Sequence, residues 1–529
     1  LAGGRGKQGA SGSPLAPVFV KNAGASSDKE RAAVMRRPSR SGCSMTRTAL
    51  SLLALLALGL CLPAPALSQN PGLPDATAAG VKTRLSSAMA KRGQAACVLL
   101  DLDSGDTLLD FNGDAQLAPA SNMKVLTSAA ALCTLGKDFE FSTRVLSRGS
   151  LSDGTLKGDL CLVGGGDPNI SGRFYNDEPL TLLRLWAEKL KTAGIKSISG
   201  DLLYDSTLFG GDAFCPGWPQ DDQFNRWYCA EVSALAFNDN CIAVKVTPGK
   251  VGEAANVVLV PQTNYCTIVN ETKTTAGKGA ALIDLRRERG QNVIRVKGNV
   301  PANGSGGFVG EITVSDGAAY FATVFRETLE AAGIKVEGQT RAHTLSAEEL
   351  GAFSTLVDHR AKLLDALKPV NTNSQNLHAE MLLRQLGLAY AGKGTFKTGA
   401  AALQDWLQKK DLWAEGMNIV DGSGLSSRNR VTARALAGVL ALMDKREEAE
   451  AWRASMAVSG ESGTLKKKLN GKLKGKVIAK TGYISGVRAL SGYMTCGKRR
   501  VAFSMLYNDC SNPTECEEDV LEAVCAALS

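Results

Sequence analysis

Ser121 and Lys124 stand three residues apart in "PASNMKVLT", at the head of an apolar run, "VLTSAAALCTLG", that reads as a helix stopped by Gly136. Residues i and i+3 of a helix face the same way, so this spacing sets a hydroxyl within hydrogen-bond reach of an amine. A serine hydroxyl is a weak nucleophile until a base takes its proton. Lysine can be that base if burial or a neighbouring cation eases its deprotonation. A nucleophile in a first helical turn also has backbone N–H groups beside it, ready for a developing oxyanion. Histidine, the commoner helper, occurs only at His343, His359 and His378. None lies in a G-x-S-x-G elbow or an H-E-x-x-H helix, and "HAE" at His378 lacks the P-C-x-x-C of a zinc deaminase. All three read as surface or capping residues.

S-x-x-K alone is weak, since a chain of this length should hold about two by chance. One such accident is Ser26 with Lys29. Serine–lysine acyl enzymes also carry S-x-N and then K-T-G downstream, and both are present with decoys. Ser374 and Asn376 lie between two helical segments in "KPVNTNSQNLHAEMLLRQLG", while S-x-N recurs at Ser427 with Asn429 and at Ser68 with Asn70. Lys480, Thr481 and Gly482 end a β-branched run in "GKVIAKTGYISGV" suited to an active-site strand. The second K-T-G, residues 397–399, is followed at once by a helix with Thr398 as its expected N-cap, so residues 480–482 are chosen.

Positioning these groups needs elements from both ends of the chain. A short helix is expected around residues 76–91, then two strands in "QAACVLLDLDSGDTLLDF" joined at residues 104–106. Residues 141–338 are rich in short β-like runs interrupted by the helical "TLLRLWAEKLKTAG", and have the look of an insertion. Helical periodicity returns in "LVDHRAKLLDALKPV", "NLHAEMLLRQLGLAYAG", "AAALQDWLQKK" and "TARALAGVLALMDK". The last segment supplies strands in "KVIAKTGYI", "RALSGYMTCG" and "RRVAFSMLYN", then a helix in "EEDVLEAVCAALS". If the strands at the two ends pair, they close one mixed domain with the middle looped out of it.

The net charge of +9 is misleading: nine Lys/Arg and two Asp/Glu fall in residues 1–68, leaving 52 against 50 in the rest. A nearly neutral body implies no nucleic-acid partner. The excess lies beside "ALSLLALLALGL", after "MRRPSRSGCSMTR" and before "PAPALSQN", the order of a cleaved secretory signal peptide. Its run of about 14 apolar residues is short for a membrane span. Translation is expected to begin at Met35 or Met45, and Cys61 is preceded by Leu60, too large for a lipidation site. Of 13 cysteines, 11 follow this leader, where disulfides are permitted but buried thiols serve equally.

With "PASNMK", "GDLCLVGGGDP", "CPGWPQDD", "NSQNLHAEMLLR", "DGSGLSSRNRVTA", "SGESGTL" and "AKTGYISGVRALSGY" in order, the chain resembles the D-alanyl-D-alanine carboxypeptidase/endopeptidases of the low-molecular-mass class C penicillin-binding proteins. The 253 residues from Ser121 to Ser374 match that family's inserted domains. Class A β-lactamases share motifs but have a shorter gap and a glutamate-bearing loop with no counterpart found here. The resemblance implies an α/β fold with a five-stranded antiparallel sheet flanked by helices, built from residues 69–140 and 339–529, with inserted β-rich domains in residues 141–338. It implies a periplasmic enzyme that cleaves D-Ala-D-Ala termini or cross-links of peptidoglycan stem peptides, without metal or cofactor, and is acylated by β-lactams. Peripheral membrane association is compatible with it, and oligomeric state is left open. Ser121 would be the nucleophile, Lys124 its base, Ser374 a proton relay and Asn376 a holder of Lys124 and the substrate amide. Lys480 and Thr481 would bind the peptide carboxylate, with the Ser121 and Tyr483 N–H groups as the oxyanion hole after Gly482. Where the family reads DGSGLSR, with an arginine that helps bind the peptide side chain, Ser427 stands here and Arg428 follows. Asp221 or Asp222 is the expected acidic partner for that side chain's amine. A catalytically silent peptidoglycan-binding scaffold and a β-lactamase are the alternatives.

Overall fold

Ala95, Cys97 and Leu99 alternate along one strand with Ala96 and Val98, and all five are buried. Successive strand residues point to opposite faces, so this strand is covered on both sides. The structure is a computed structural model and describes residues 72–89, 92–304 and 307–529. The expected leader, with its start sites and Cys61, and the decoy at Ser68 and Asn70 lie outside them.

The chain opens with helix α1 (Asp75–Ala88) and the hairpin β1 (Gln94–Asp101) and β2 (Thr107–Phe111), followed by α2 (Met123–Leu135). After the middle segment come α3 (Leu363–Asn371), α4 (Asn376–Ala391) and α5 (Ala433–Asp444). Strands β3 (Ala457–Val458), β4 (Val477–Ile484), β5 (Val487–Cys496) and β6 (Arg499–Asn508) precede α6 (Pro513–Leu528). One antiparallel sheet has the order β3-β4-β5-β6-β1-β2. Five strands are full-length; the sixth, β3, is a two-residue addition at the edge beside β4.

β1 pairs with β6 from Gln94 opposite Asn508 to Asp101 opposite Val501, so strands from far-separated parts of the chain form one surface. Cys97, Leu99, Phe503 and Met505 pack beneath Val81 and Leu85 of α1 and Val520, Leu521 and Val524 of α6. Ala96, Val98, Ala502 and Leu506 pack on the opposite side with Val125 and Leu126 of α2 and Leu436 and Leu440 of α5. Each fully buried apolar side chain of this size contributes roughly 1.5–3 kcal/mol, which holds the two-faced sheet against chain entropy.

The middle segment has its own core, in which Trp186 of the helix Thr181–Thr192 meets Phe321 and Phe325 of the helix Gly317–Ala331. One of its sheets pairs the strand Glu140–Ser147 with the strand Ser354–Lys362. The segment thus leaves and rejoins the chain through adjacent strands. The first half of "LVDHRAKLLDALKPV" is therefore strand rather than helix, its local periodicity overridden by that pairing; only Leu363–Asn371 is helical.

Two further expectations change in detail. Ser121 lies in a 3-10 turn, Ala120–Asn122, that leads into α2, instead of in the α-helix itself. In a 3-10 turn residues i and i+3 eclipse, which keeps Ser121 over Lys124. Thr398 is not a cap: Thr395 caps the helix Phe396–Gln408, accepting from Thr398 N, so the second K-T-G is the first turn of a helix. Among the described residues all 11 cysteines are free thiols, nine buried and two partly so.

Candidate active site

Lys124 is completely buried in α2, and Asn376 and Ser423 reach it from two other parts of the chain. Its Nζ lies 3.0 Å from Ser121 Oγ, 2.6 Å from Asn376 Oδ1 and 2.8 Å from the Ser423 carbonyl oxygen. Two of these partners are pure acceptors. A neutral amine donates its two N–H bonds to them and leaves its lone pair for the Ser121 hydroxyl; an ammonium donates to all three. The same geometry therefore accommodates both protonation states. Burial pushes the Lys124 pKa down to about 7, against the opposing pull of Glu380 and Asp421.

A second buried amine comes from β4. Lys480 Nζ donates to Ser374 Oγ at 2.9 Å and to the Thr481 carbonyl at 2.7 Å. Burial, and then the like charge of Lys124 and of Lys468, hold its pKa well below the usual lysine range. Thr481 Oγ1 donates to Thr464 Oγ1 at 2.8 Å. The hydroxyl residues Ser121, Ser374 and Thr481 are part-exposed, whereas both amines are sealed.

Backbone conformation sets these side chains. Ser374 has φ +64°, a left-handed conformation rare for a residue with a side chain, and is flanked by bonds from Thr372 N to Lys368 O and from Gln375 N to Pro369 O. Gly482 follows from close approach: a Cβ there would stand 2.8 Å from Pro119 O and 2.9 Å from Asn122 Nδ2. Asn122 Nδ2 also donates to the Lys480 carbonyl at 3.2 Å, clamping β4 onto the turn that carries Ser121. Gly424, at φ +80°, lets the loop around it touch that turn, since a Cβ there would overlap the Ala120 carbonyl.

Ser121, Lys124 and Asn376 are thus joined by direct contacts, as are Ser374 and Lys480; the Lys124 charge is felt at Lys480, Thr481 follows it on β4, and Gly482 packs against the Ser121 turn. Tyr483 is two-thirds exposed and stacks under the Arg488 guanidinium, 3.7 Å from its ring centroid. Arg428 is not brought to these residues. It lines a hollow of about 420 Å³ with Cys215, Gly217, Lys397 and Gln404, a lining that includes neither site lysine. Asp221 is exposed and accepts from Gln223 N and Nε2. Asp222 opens the turn Asp222–Asn225, its side chain outside the described residues. That stretch still approaches the site, because Asn376 Nδ2 donates to the Tyr228 carbonyl at 2.8 Å.

His378 departs from its expected surface or capping role: it is fully buried, and burial lowers its pKa to about 4. The decoy Asn429 is structural, donating to Asp421 Oδ1 and accepting from Val420 N, both at 2.8 Å. Motif reading missed Glu380, Asp421, Ser423, Thr464 and Tyr228. Glu380 carried one signal, lying one helical turn after Asn376 on the face that continues to Arg384. Among the described residues no group of three or more His, Cys, Asp or Glu is placed to hold a metal ion.

Comparison with known proteins places this geometry first in a class: a mixed α/β fold of the penicillin-binding type with extra domains. More narrowly, the chain belongs to the D-Ala-D-Ala carboxypeptidase 3 (S13) family, whose pattern matches residues 78–526. It is 34% identical over 473 residues to a D-alanyl-D-alanine carboxypeptidase of Actinomadura sp. (strain R39), covering 85% of this chain and 86% of that one. It is 28% identical over 416 residues to the carboxypeptidase DacB of Haemophilus influenzae, covering 77% and 84%. The crystal structure of penicillin binding protein 4 (dacB) from H. influenzae superposes with a TM-score of 0.71 at 24% identity, over 85% of this chain and 99% of that one.

Replacing Gly482 by alanine forces β4 off the Ser121 turn. Gly482→Ala should slow covalent labelling by a fluorescent penicillin about a hundredfold. Its cost to folding, read by urea unfolding, should be about 1–3 kcal/mol.

Proposed function

We propose that the protein is a serine DD-peptidase of the cell envelope, acting by acyl transfer to water on D-Ala-D-Ala termini or D-Ala-diamino acid cross-links of peptidoglycan. The observation that carries this reading is the Lys124 amine, sealed from water, 3.0 Å from a part-exposed Ser121 hydroxyl. Lys124 takes the Ser121 proton as Oγ attacks the carbonyl of the penultimate D-alanine. Ser374 relays that proton from Lys124 to the leaving amine as the C–N bond breaks, which returns Lys124 to its neutral form; water then hydrolyses the ester at Ser121 with Lys124 again the base. The N–H groups of Ser121 and Tyr483 take the oxyanion, a contact worth about 3 kcal/mol per donor in related chemistry.

Lys480 has a distinct electrostatic task. Burial favours its neutral amine, so a peptide carboxylate arriving beside it and Thr481 supplies a counter-charge that favours the ammonium. Binding of the carboxylate is then coupled to proton uptake. Penicillins, which carry a carboxylate and a reactive amide, should acylate Ser121 by the same route.

Asp221 or Asp222 is kept as the acidic partner of a diamino side chain, and Arg428 is assigned only to the rim beyond Gly217. The division of the chain is retained with one change: residues 339–362 are grouped with the inserted part, because the strand Thr340–Ala342 pairs with Leu202–Tyr204 and the strand Ser354–Lys362 with Glu140–Ser147. A periplasmic location rests on the leader's composition. Among the described residues no helix is long and apolar enough to cross a membrane.

Labelling by a fluorescent penicillin should be covalent in the unaltered chain and absent in Ser121→Ala. D-Alanine release from a pentapeptide should vanish with it; labelling that persists in the variant overturns the assignment. Since only neutral Lys124 acts as base and its pKa lies at about 7, acylation should rise as pH climbs through that value. It should fall about tenfold for each unit below. A rate flat between pH 5 and 8 would exclude Lys124 as the base.

A further inference from the structure

α4 carries more of the site than its first residue. Asn376, Glu380 and Arg384 follow at intervals of four along one buried face of the helix. Glu380 is fully buried and grips the neighbouring loop with both oxygens: Oε2 accepts from Gly422 N and Oε1 from Ser423 N, each at 2.8 Å. Burial and then the Asp421 charge push the Glu380 pKa up to about 8, and the backbone N–H bonds oppose that rise: two donors on two oxygens suit the ionised, acceptor-only carboxylate. The loop held in this way presents the Ser423 carbonyl to Lys124 Nζ. Thr127 Oγ1 adds a second tie between α2 and the loop, donating to the Gly422 carbonyl at 2.8 Å.

The groups facing Glu380 are Lys124 from α2, Asp421 from the loop, Arg384 one turn along α4 and Cys215 from the inserted part. Asp421 is already occupied, accepting from Gly424 N, Ser426 N, Asn429 Nδ2 and Trp218 Nε1 at 2.7–2.9 Å. Arg384 donates away from the site, to the Gly210 and Asp212 carbonyls. Glu380 is therefore the acid whose bonds lead through a single residue to the base.

Building on the serine–lysine reading above, we propose that Glu380 is a positioning residue for Lys124: its carboxylate fixes the Ser423 carbonyl against the amine and sets the pH at which the base becomes available. It touches neither substrate nor the Ser121 hydroxyl. Two effects follow and they separate. The charge favours the ammonium and so raises the pH needed for acylation, while the two backbone bonds hold the amine where its lone pair meets Ser121.

The full chain and its Glu380→Gln and Glu380→Asp variants, each checked for folding by circular dichroism, are labelled with a fluorescent penicillin from pH 5 to 10. Glu380→Gln removes the charge and opposes an amide N–H to a backbone N–H. Its acid midpoint should move to lower pH by about half a unit or more, with the plateau rate down about tenfold or more. Glu380→Asp keeps the charge on an arm one carbon shorter, so its midpoint should stay within about 0.2 units of the unaltered chain's while its plateau falls similarly. An unchanged plateau in Glu380→Asp overturns the proposal, and so does a Gln variant with the unaltered midpoint. If Glu380→Gln does not fold, the Asp variant decides alone. Failure here leaves labelling of Ser121 intact, whereas failure of the serine–lysine reading abolishes the dependence on Ser121 itself.

Discussion

An amine that must lose its proton inside the protein is the constraint on which this site is built. Lys124 is enclosed on every side, and a buried ammonium without compensation costs several kcal/mol. Full neutralisation by an adjacent carboxylate would restore the charge and destroy the base. The structure takes an intermediate course, giving Lys124 neutral acceptors in direct contact and placing Glu380 and Asp421 behind them, where they are felt without bonding to it. Because the contacts suit amine and ammonium alike, a proton can move between Ser121 and Lys124 without side chains rearranging.

The same constraint explains why a second lysine is tolerated nearby. Two ammonium groups in one buried site repel, and Lys124 is the largest charge lowering Lys480. Among the described residues neither carries a salt bridge. Lys480 instead donates to the Ser374 hydroxyl and the Thr481 carbonyl, neutral acceptors that leave burial to favour the uncharged amine. On the function proposed above, a substrate carboxylate and not a protein acid completes the electrostatics.

Much of this was legible in residue type and order. S-x-x-K, S-x-N and K-T-G pointed to residues that form two hydrogen-bonded sets, Ser121 and Asn376 on Lys124 and Ser374 on Lys480, and β-branched context separated residues 480–482 from the helical 397–399. The sheet's five full-length strands followed from alternation and terminal apolar runs. What the sequence could not display were groups acting through backbone atoms: Ser423 contributes a carbonyl, Tyr228 another, and neither identity is required for that role. Glu380 looked like one more polar residue on a helix because its partners are backbone N–H groups 42 and 43 positions later. Arg428 illustrates the opposite limit. Ser427 stands where the family's pattern has arginine, and the Arg428 that follows it lines the hollow beside Gly217. The strand Ser354–Lys362 was misread for a comparable reason, since its partner strand lies more than 200 residues earlier.

The inserted part is also more than an appendage to the catalytic sheet. An asparagine amide can face a neighbour with either its oxygen or its nitrogen, and only the oxygen can accept from Lys124. At Asn376 the choice is settled by the Tyr228 carbonyl, which takes an N–H from Nδ2 and leaves Oδ1 turned to the amine. Reversing the amide would set Nδ2 against Lys124 and Oδ1 against a carbonyl, opposing like partners at both ends. Arg384 fastens the same helix to the Gly210 and Asp212 carbonyls, with its guanidinium over the Phe396 ring. The segment from Gly210 to Tyr228 therefore fixes both the helix that bears Asn376 and the sense in which its amide is presented. A base assembled from one end of the chain depends for its polarity on a backbone atom supplied by the middle.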